Sequence, residues 1–250
     1  MNLFIFILGT IIGSFINVCI YRIPQGKSVI YPPSHCPQCG YKLKPFDMIP
    51  LLSYFWLRGR CRKCCAKISG QYPLVEFLTG GMLLLAFFKF GFTFDFLTAS
   101  ILIICLIIST FIDLKHQIIP DKIVLPTIAV GLVFNTVLQR GSLTDYLMGF
   151  ALGGGIIFLI VVLSQGGMGG GDIKLFATVG MFLGLKLTVL AVLLSFIFGS
   201  IAGLILIMLN LKKLKDVIPF GPFIALGSLV SLFIGDRIIS WYCDLFIVLL

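Results

Sequence analysis

The sequence predicts an all-α polytopic membrane protein of about eight transmembrane helices with a small, zinc-ribbon-like cytoplasmic insert. Three observations carry that expectation. Of 250 residues, 59% are hydrophobic and only 12% charged, against about 25% charged in an ordinary soluble domain. Long apolar stretches with few charges recur along the chain, as a hydrocarbon layer about 30 Å thick requires. One segment only, 22–73, lacks a stretch long enough to span and is rich in Pro, Gly, Cys and basic residues.

Taken in order, the apolar segments fall at 3–21, 74–90, 97–112, 123–139, 146–164, 173–185, 188–210 and 218–235. The sixth is short. Trp241 to Leu250 is apolar but brief, and reads as interfacial or packed against the bundle. Met1 to Ile20 lacks a basic start and a small-residue cleavage site, so it is expected to remain as a helix. The organisation expected is a first transmembrane helix at 1–21, a four-cysteine insert at 22–73 and a helical bundle at 74–250. No solenoid period or low-complexity tail interrupts it.

A formal charge of +9 raises nucleic acid as a partner, but the basic residues lie between apolar segments, where they act as topology signals beside membrane lipids. No nucleic-acid partner is expected. With the N-terminus outside, 15 Lys/Arg fall on the cytoplasmic side, including Lys115, Lys122, Lys174, Lys212, Lys213 and Lys215. Only Lys89, Arg140, Lys186 and Arg237 fall opposite, so the positive-inside rule selects this orientation.

Acidic residues are scarce, with nine Asp and the single Glu76, and ionisable groups at membrane depth are costly. Asp113 closes the apolar run 101–112 and opens Asp-Leu-Lys-His-Gln-Ile-Ile-Pro-Asp, which ends at Asp121. Asp172 ends the run Gly166-Gly167-Met168-Gly169-Gly170-Gly171. The topology places Asp113 and Asp172 at one cytoplasmic boundary. Two carboxylates held close share a proton, one serving as general base on water and the other as general acid, which is aspartic-protease chemistry. Glycines beside them let backbone approach a substrate strand or a neighbouring helix. A phosphate-binding loop is excluded, because no Lys-Ser/Thr follows the run. Each aspartate alone has a plainer account, Asp113 as a solvated helix end and Asp172 as a cap on the helix from Ile173.

Cys36-Pro-Gln-Cys39 and Cys61-Arg-Lys-Cys64 are two Cys-x-x-Cys knuckles whose thiolates suit tetrahedral zinc. A loop of about 50 residues buries little core, so a closed metal site would supply folding energy. Two disulfides are the alternative, disfavoured by a reducing cytoplasm. Cys65 competes with Cys64 for the fourth position, although Cys64 keeps the spacing. Cys19, Cys105 and Cys243 read as small hydrophobes, His35 as a loop residue and His116 as an interfacial polar residue. Gly9, Gly13 and Asn17 share one helix face, a surface for close packing with a polar edge. Glu76, which opens the second span, either holds a cationic ligand or favours a helix N-terminus. Pro219-Phe220-Gly221-Pro222 reads as a turn before the last span, with shaping of an active-site wall as the alternative.

Gly169-Gly170-Gly171-Asp172 fits the Gly-x-Gly-Asp signature of intramembrane aspartyl proteases, and together with the Asp113 motif it resembles the type IV prepilin peptidases. Gly13-Ser14-Phe15-Ile16-Asn17-Val18 with Arg22 and Pro24, the cysteine pairs, the stretch from Ile68 to Glu76, and Pro219 to Pro222 resemble that family in its order. The resemblance implies a bifunctional bacterial enzyme of the cytoplasmic membrane. Such an enzyme cuts the leader from prepilins or pseudopilins and N-methylates the new amino terminus with S-adenosylmethionine. It implies Asp113 and Asp172 as the cleavage pair, with Asp121 the runner-up, and favours Glu76 and Asn17 as residues of the methyl-transfer site. The rival readings are a cleavage-only peptidase and a proton- or metal-coupled transporter.

Overall fold

A computed structural model describes residues 1–137, 142–164, 168–213 and 216–249, of 246–249 the backbone alone. Arg140, Gly166, Gly167 and Lys215, used above, lie outside the described residues. All named elements among the described residues are helical. The chain forms two compact units, Met1–Phe96 and 97 onward.

The first unit holds α1 (Asn2–Arg22), a 3-10 turn at Pro45–Met48, α2 (Leu52–Trp56) and α3 (Gln71–Phe90). Helices α1 and α3 run antiparallel against each other through the face expected from the sequence. Asn17 Nδ2 donates to the Tyr72 carbonyl at 3.0 Å. One turn along, a Cβ on Gly13 would stand 2.7 Å from Glu76 Cα, and a turn further a Cβ on Gly9 would stand 2.7 Å from Gly80 Cα. Small residues thus let the two backbones meet, which in lipid replaces the missing hydrophobic drive for association.

The second unit holds most of α4 (Phe94–His116), then α5 (Asp121–Val137), α6 (Leu143–Leu163), α7 (Gly170–Met208) and α8 (Gly221–Leu249). Helix α7 contains a turn. Gly184 stands at φ 74° and ψ 177°, outside helical geometry. A Cβ on Gly153 would lie 2.5 Å from the Phe176 carbonyl oxygen and 3.1 Å from Thr188 Cγ2. In a continuous helix those two residues would be about 18 Å apart along the axis. The chain therefore doubles back at Gly184, and limbs 170–183 and 185–208 flank α6 together. Asn135 Nδ2, donating to the Met181 carbonyl at 2.7 Å, ties α5 to the first limb.

Among the described residues, six helices are long and apolar enough to cross a membrane. Adding the 17-residue α5 and separating the limbs of α7 yields the eight segments expected from the sequence, among the described residues. The protein is an all-α, multi-pass membrane protein. The segment from Trp241 continues α8, which runs unbroken from Gly221 to Leu249, while Leu250 lies outside the described residues. No Gly or Pro follows Gly235 to stop it.

The tightest crossing is at Gly180, where a Cβ would fall on the Gly149 carbonyl. Backbone faces backbone there, so neither side can yield cheaply. Gly180→Ala should lower stability by about 1–3 kcal/mol, read as the thermal midpoint in detergent. Gly155→Ala, where a Cβ meets nothing within 4 Å, should be neutral or stabilising by comparison.

Candidate functional site

Asp113 lies three residues before the end of α4 and Asp172 in the first turn of α7. They are 5% and 7% exposed, so the solvated-end reading of Asp113 does not describe the structure. Asp113 Oδ2 accepts the Gly221 N–H at 2.7 Å. Gly221 opens α8, and its amide is one of the four donors that a helix start leaves without an intrahelical partner. A Cβ there would sit 2.8 Å from Asp113 Oδ2, so only glycine lets the carboxylate approach. The Pro219 to Pro222 motif is thus the non-helical entry to the last span that the sequence suggests, and through Gly221 it also forms part of the Asp113 site, the alternative expected of it. The chemical signal available in the sequence was a glycine between two prolines at a helix start.

Asp172 Oδ2 accepts the Gly169 N–H at 3.1 Å from the third position of α7, which begins at Gly170, so Asp172 is not the cap before a helix from Ile173 but reaches back to that cap. The bond also aims its carboxylate. A Cβ on Gly171 would stand 2.8 Å from Ile119 Cβ, so the glycine run brings the start of α7 against the segment that follows Asp113. An electrostatic interaction couples the Asp113 and Asp172 carboxyls. Asp121 is different. Its side chain is 53% exposed and pairs with Lys174 Nζ at 2.7 Å, leaving Asp113 as the buried partner for Asp172. Phe220 packs with Phe176, Phe196 and Phe223, ring centroids 5.3–6.5 Å apart, and so lends an aromatic flank to this corner.

In the first unit the two knuckles are copies of one turn. Cys36 N–H donates to the Tyr41 carbonyl at 2.9 Å and Cys61 N–H to the Ala66 carbonyl at 2.8 Å. Gly40 at φ 67° and Cys65 at φ 56° occupy the same left-handed position after the second cysteine. Cys65 accordingly stands outside the thiol cluster and serves as the turn residue, as Gly40 does. The Sγ atoms of Cys36, Cys39, Cys61 and Cys64 all lie within 4.8 Å of one another. Cys36 and Cys64 are 3.8 Å apart and Cys39 and Cys61 4.0 Å. A zinc ion with Zn–S bonds of about 2.3 Å sets tetrahedral S···S edges of about 3.8 Å, so the four thiols fit it.

Their acid–base state points the same way. The N–H groups of Cys64 and Lys63 draw the Cys61 thiol down to about 6. At Cys64 the Ala66 N–H pulls downward too, but desolvation and the thiols of Cys39, Cys61 and Cys36 outweigh it and push Cys64 up to about 12. Four crowded sulfurs hold on to a proton unless a cation replaces it.

Glu76 and Asn17 lie in the α1–α3 interface, 7% and 3% exposed. Glu76 Oε2 accepts the Leu51 N–H at 2.8 Å, and Ser14 bonds the same carboxylate. Asn17 Nδ2 is used twice, on Gly13 and Tyr72, while its Oδ1 is buried without a partner.

Paired buried aspartates on glycine-lined helix ends, with a four-thiol insert between apolar helices, define a membrane aspartyl peptidase with a metal knuckle as the class the arrangement fits. Comparison narrows it. Residues 7–90 match the model of the bacterial peptidase A24 N-terminal domain, and residues 100–204 that of the type IV leader peptidase family. Proteins named prepilin leader peptidase/N-methyltransferase are similar throughout. The Bacillus subtilis protein is 35% identical over 95% of this chain and 96% of its own length. The Legionella pneumophila protein is 37% identical over 97% and 94%, and that of Aeromonas hydrophila 35% over 97% and 94%. The chain belongs to the type IV leader peptidase family. No solved structure matches it.

Metal analysis of the purified chain should find about one zinc per molecule, with Cys61→Ser losing it. Because protons compete with the metal for the four ligand sulfurs, retention in a chelator should fall progressively as pH is lowered from neutrality.

Proposed function

We propose that the protein cleaves the leader of type IV prepilins or pseudopilins at the cytoplasmic face of the bacterial cytoplasmic membrane, then N-methylates the new amino terminus. The observation that supports the reading is the burial of two carboxyls whose charges interact, Asp113 on the Gly221 amide and Asp172 on the Gly169 amide. One carboxylate takes a proton from water as its oxygen bonds the scissile carbonyl carbon. The other carries a proton and gives it to the nitrogen as the C–N bond breaks. The products are a free carboxyl and a free amine, and the pair again holds one proton. Gly221 and Gly169 keep both carboxylates aimed without a water-exposed side chain. The names of the relatives supply the substrate class.

For methyl transfer, Glu76 and Asn17 would hold S-adenosylmethionine, which supplies the methyl group when bound. A carboxylate attracts its sulfonium and amino charges, and the unpartnered Asn17 Oδ1 accepts an N–H. Zinc on Cys36, Cys39, Cys61 and Cys64 would fold the insert 22–73 for this step, while the bundle 74–250 carries cleavage. The N-terminus is placed outside, with the insert and both aspartates at the cytoplasmic face, by the distribution of Lys and Arg. The membrane lipids are partners and nucleic acid is not.

Co-expression with a prepilin and intact-mass measurement test both activities at once. Asp113→Asn and Asp172→Asn should each lower cleavage at least about 100-fold, with the helical fold intact by circular dichroism. Normal processing by either variant would refute the dyad. Gly221→Val should also slow cleavage, because its side chain displaces the Asp113 carboxylate.

A further inference from the structure

Leu51 lies inside the four-cysteine insert, between the two knuckles, and leads into the short helix α2. Its φ of 61° and ψ of −55° put a branched residue in the left-handed half of backbone space. The Leu52 N–H closes onto the Pro50 carbonyl at 2.6 Å, so Leu51 is the centre of a γ-turn of the rare, strained kind. Such a backbone persists only where its surroundings over-determine it, and it clusters at functional positions. Both sides of Leu51 are over-determined.

On the insert side the anchor is Asp47, whose side chain is 1% exposed. Asp47 Oδ1 accepts Arg62 Nε at 2.7 Å, and Arg62 stands between the ligands Cys61 and Cys64. Asp47 Oδ2 accepts the Lys44 N–H at 3.2 Å and the Tyr41 hydroxyl at 3.5 Å, and Tyr41 closes the first knuckle. Burial alone would raise the Asp47 carboxyl, but the Arg62 hydrogen bond and charge and the Lys44 amide leave it below the usual range. Asp47 therefore ties both knuckles to the 3-10 turn Pro45–Met48, and Ile49 and Pro50 carry that rigidity to Leu51.

On the membrane side the Leu51 N–H meets Glu76 Oε2 at 2.8 Å. Gly13 lets α1 lie on Glu76 Cα, and Asn17, one turn away, aims an unpartnered, buried Oδ1 into the same interface. That buried acceptor without a protein partner lies in the same interface as the Glu76 carboxylate and needs an N–H or O–H from outside the protein's own groups.

We propose that Leu51 is a positioning residue: the metal-folded insert drives its amide onto the Glu76 carboxylate and so orients that carboxylate for methyl transfer. The proposal rests on the methyl-transfer role given to Glu76 above. It also gives the insert a task beyond its own folding. When the knuckles lose their metal, Arg62 and Tyr41 leave Asp47, the γ-turn relaxes, and the amide leaves Glu76. Cleavage at Asp113 and Asp172 uses none of these groups.

Hydrogen exchange resolved at the Leu51 amide, on the full chain in detergent, reads the contact without reference to activity. In zinc-loaded wild type that amide should be protected. In Glu76→Leu it should exchange about tenfold faster or more, the scale of a hydrogen bond to a charged group, while Cys36 and Cys61 amides keep their protection. Chelating the zinc should release Leu51 in wild type as well. With a co-expressed prepilin, Leu51→Pro, which has no amide proton, should yield cleaved but unmethylated pilin. Leu51→Gly, which keeps the amide and fits the positive φ, should restore the methyl group. Unchanged Leu51 protection in Glu76→Leu overturns the proposal, whatever the folding of the proline variant, and so does full methylation by Leu51→Pro. Wild type that cleaves without methylating overturns instead the methyl-transfer reading beneath it.

Discussion

A polar group at membrane depth has no water to turn to, and each must find its partner within the protein. This constraint organises the second unit around the Asp113–Gly221 hydrogen bond. A carboxylate near the end of α4 is satisfied by the amide that α8 leaves open at its start, so one bond serves a helix terminus and a side chain together. The Asp172–Gly169 bond repeats the device at the start of α7. Elsewhere the remedy is to return a side chain to a carbonyl, as Asn135 does to Met181 and Ser231 to Leu187. Helix ends are thus both the weak points of the fold and the places where its charges are held.

Meeting that constraint demands close backbones, and glycine supplies them. Gly9 and Gly13 seat α1 on α3, Gly149 and Gly153 seat α6 in the fold of α7, and Gly171 and Gly221 admit the two carboxyl-bearing corners. In a lipid setting such contacts replace the area-driven association of soluble helices. They also make the architecture intolerant of a single methyl group where backbone meets backbone, and tolerant on the open face, as at Gly155.

The insert solves a different problem. It has no apolar core of its own and shows Phe46, Phe55 and Trp56 largely exposed. Two copied knuckles, a buried Asp47 and four converging thiols hold it instead. That economy leaves the loop free to present backbone groups, among them the strained Leu51 amide, to the first helix pair.

Much of this was legible in the sequence because it is written in composition and short spacing. Apolar length revealed the spans, and Cys-x-x-Cys spacing revealed the thiol cluster. The periodic Gly9, Gly13 and Asn17 revealed the face of α1, and two isolated carboxylates beside apolar runs marked Asp113 and Asp172. Local chemistry determines such features, so a reader of local chemistry finds them. Tertiary structure alone decided the rest: that α7 doubles back at Gly184, that α8 runs on past Trp241, that Cys65 is a turn residue, that Asp121 spends itself on Lys174, and that Gly221 reaches Asp113 across 108 residues of chain. Each of these depends on which backbones come within a few ångströms of one another. No residue type or interval along the chain encodes that distance, because it is set by the simultaneous packing of all the helices.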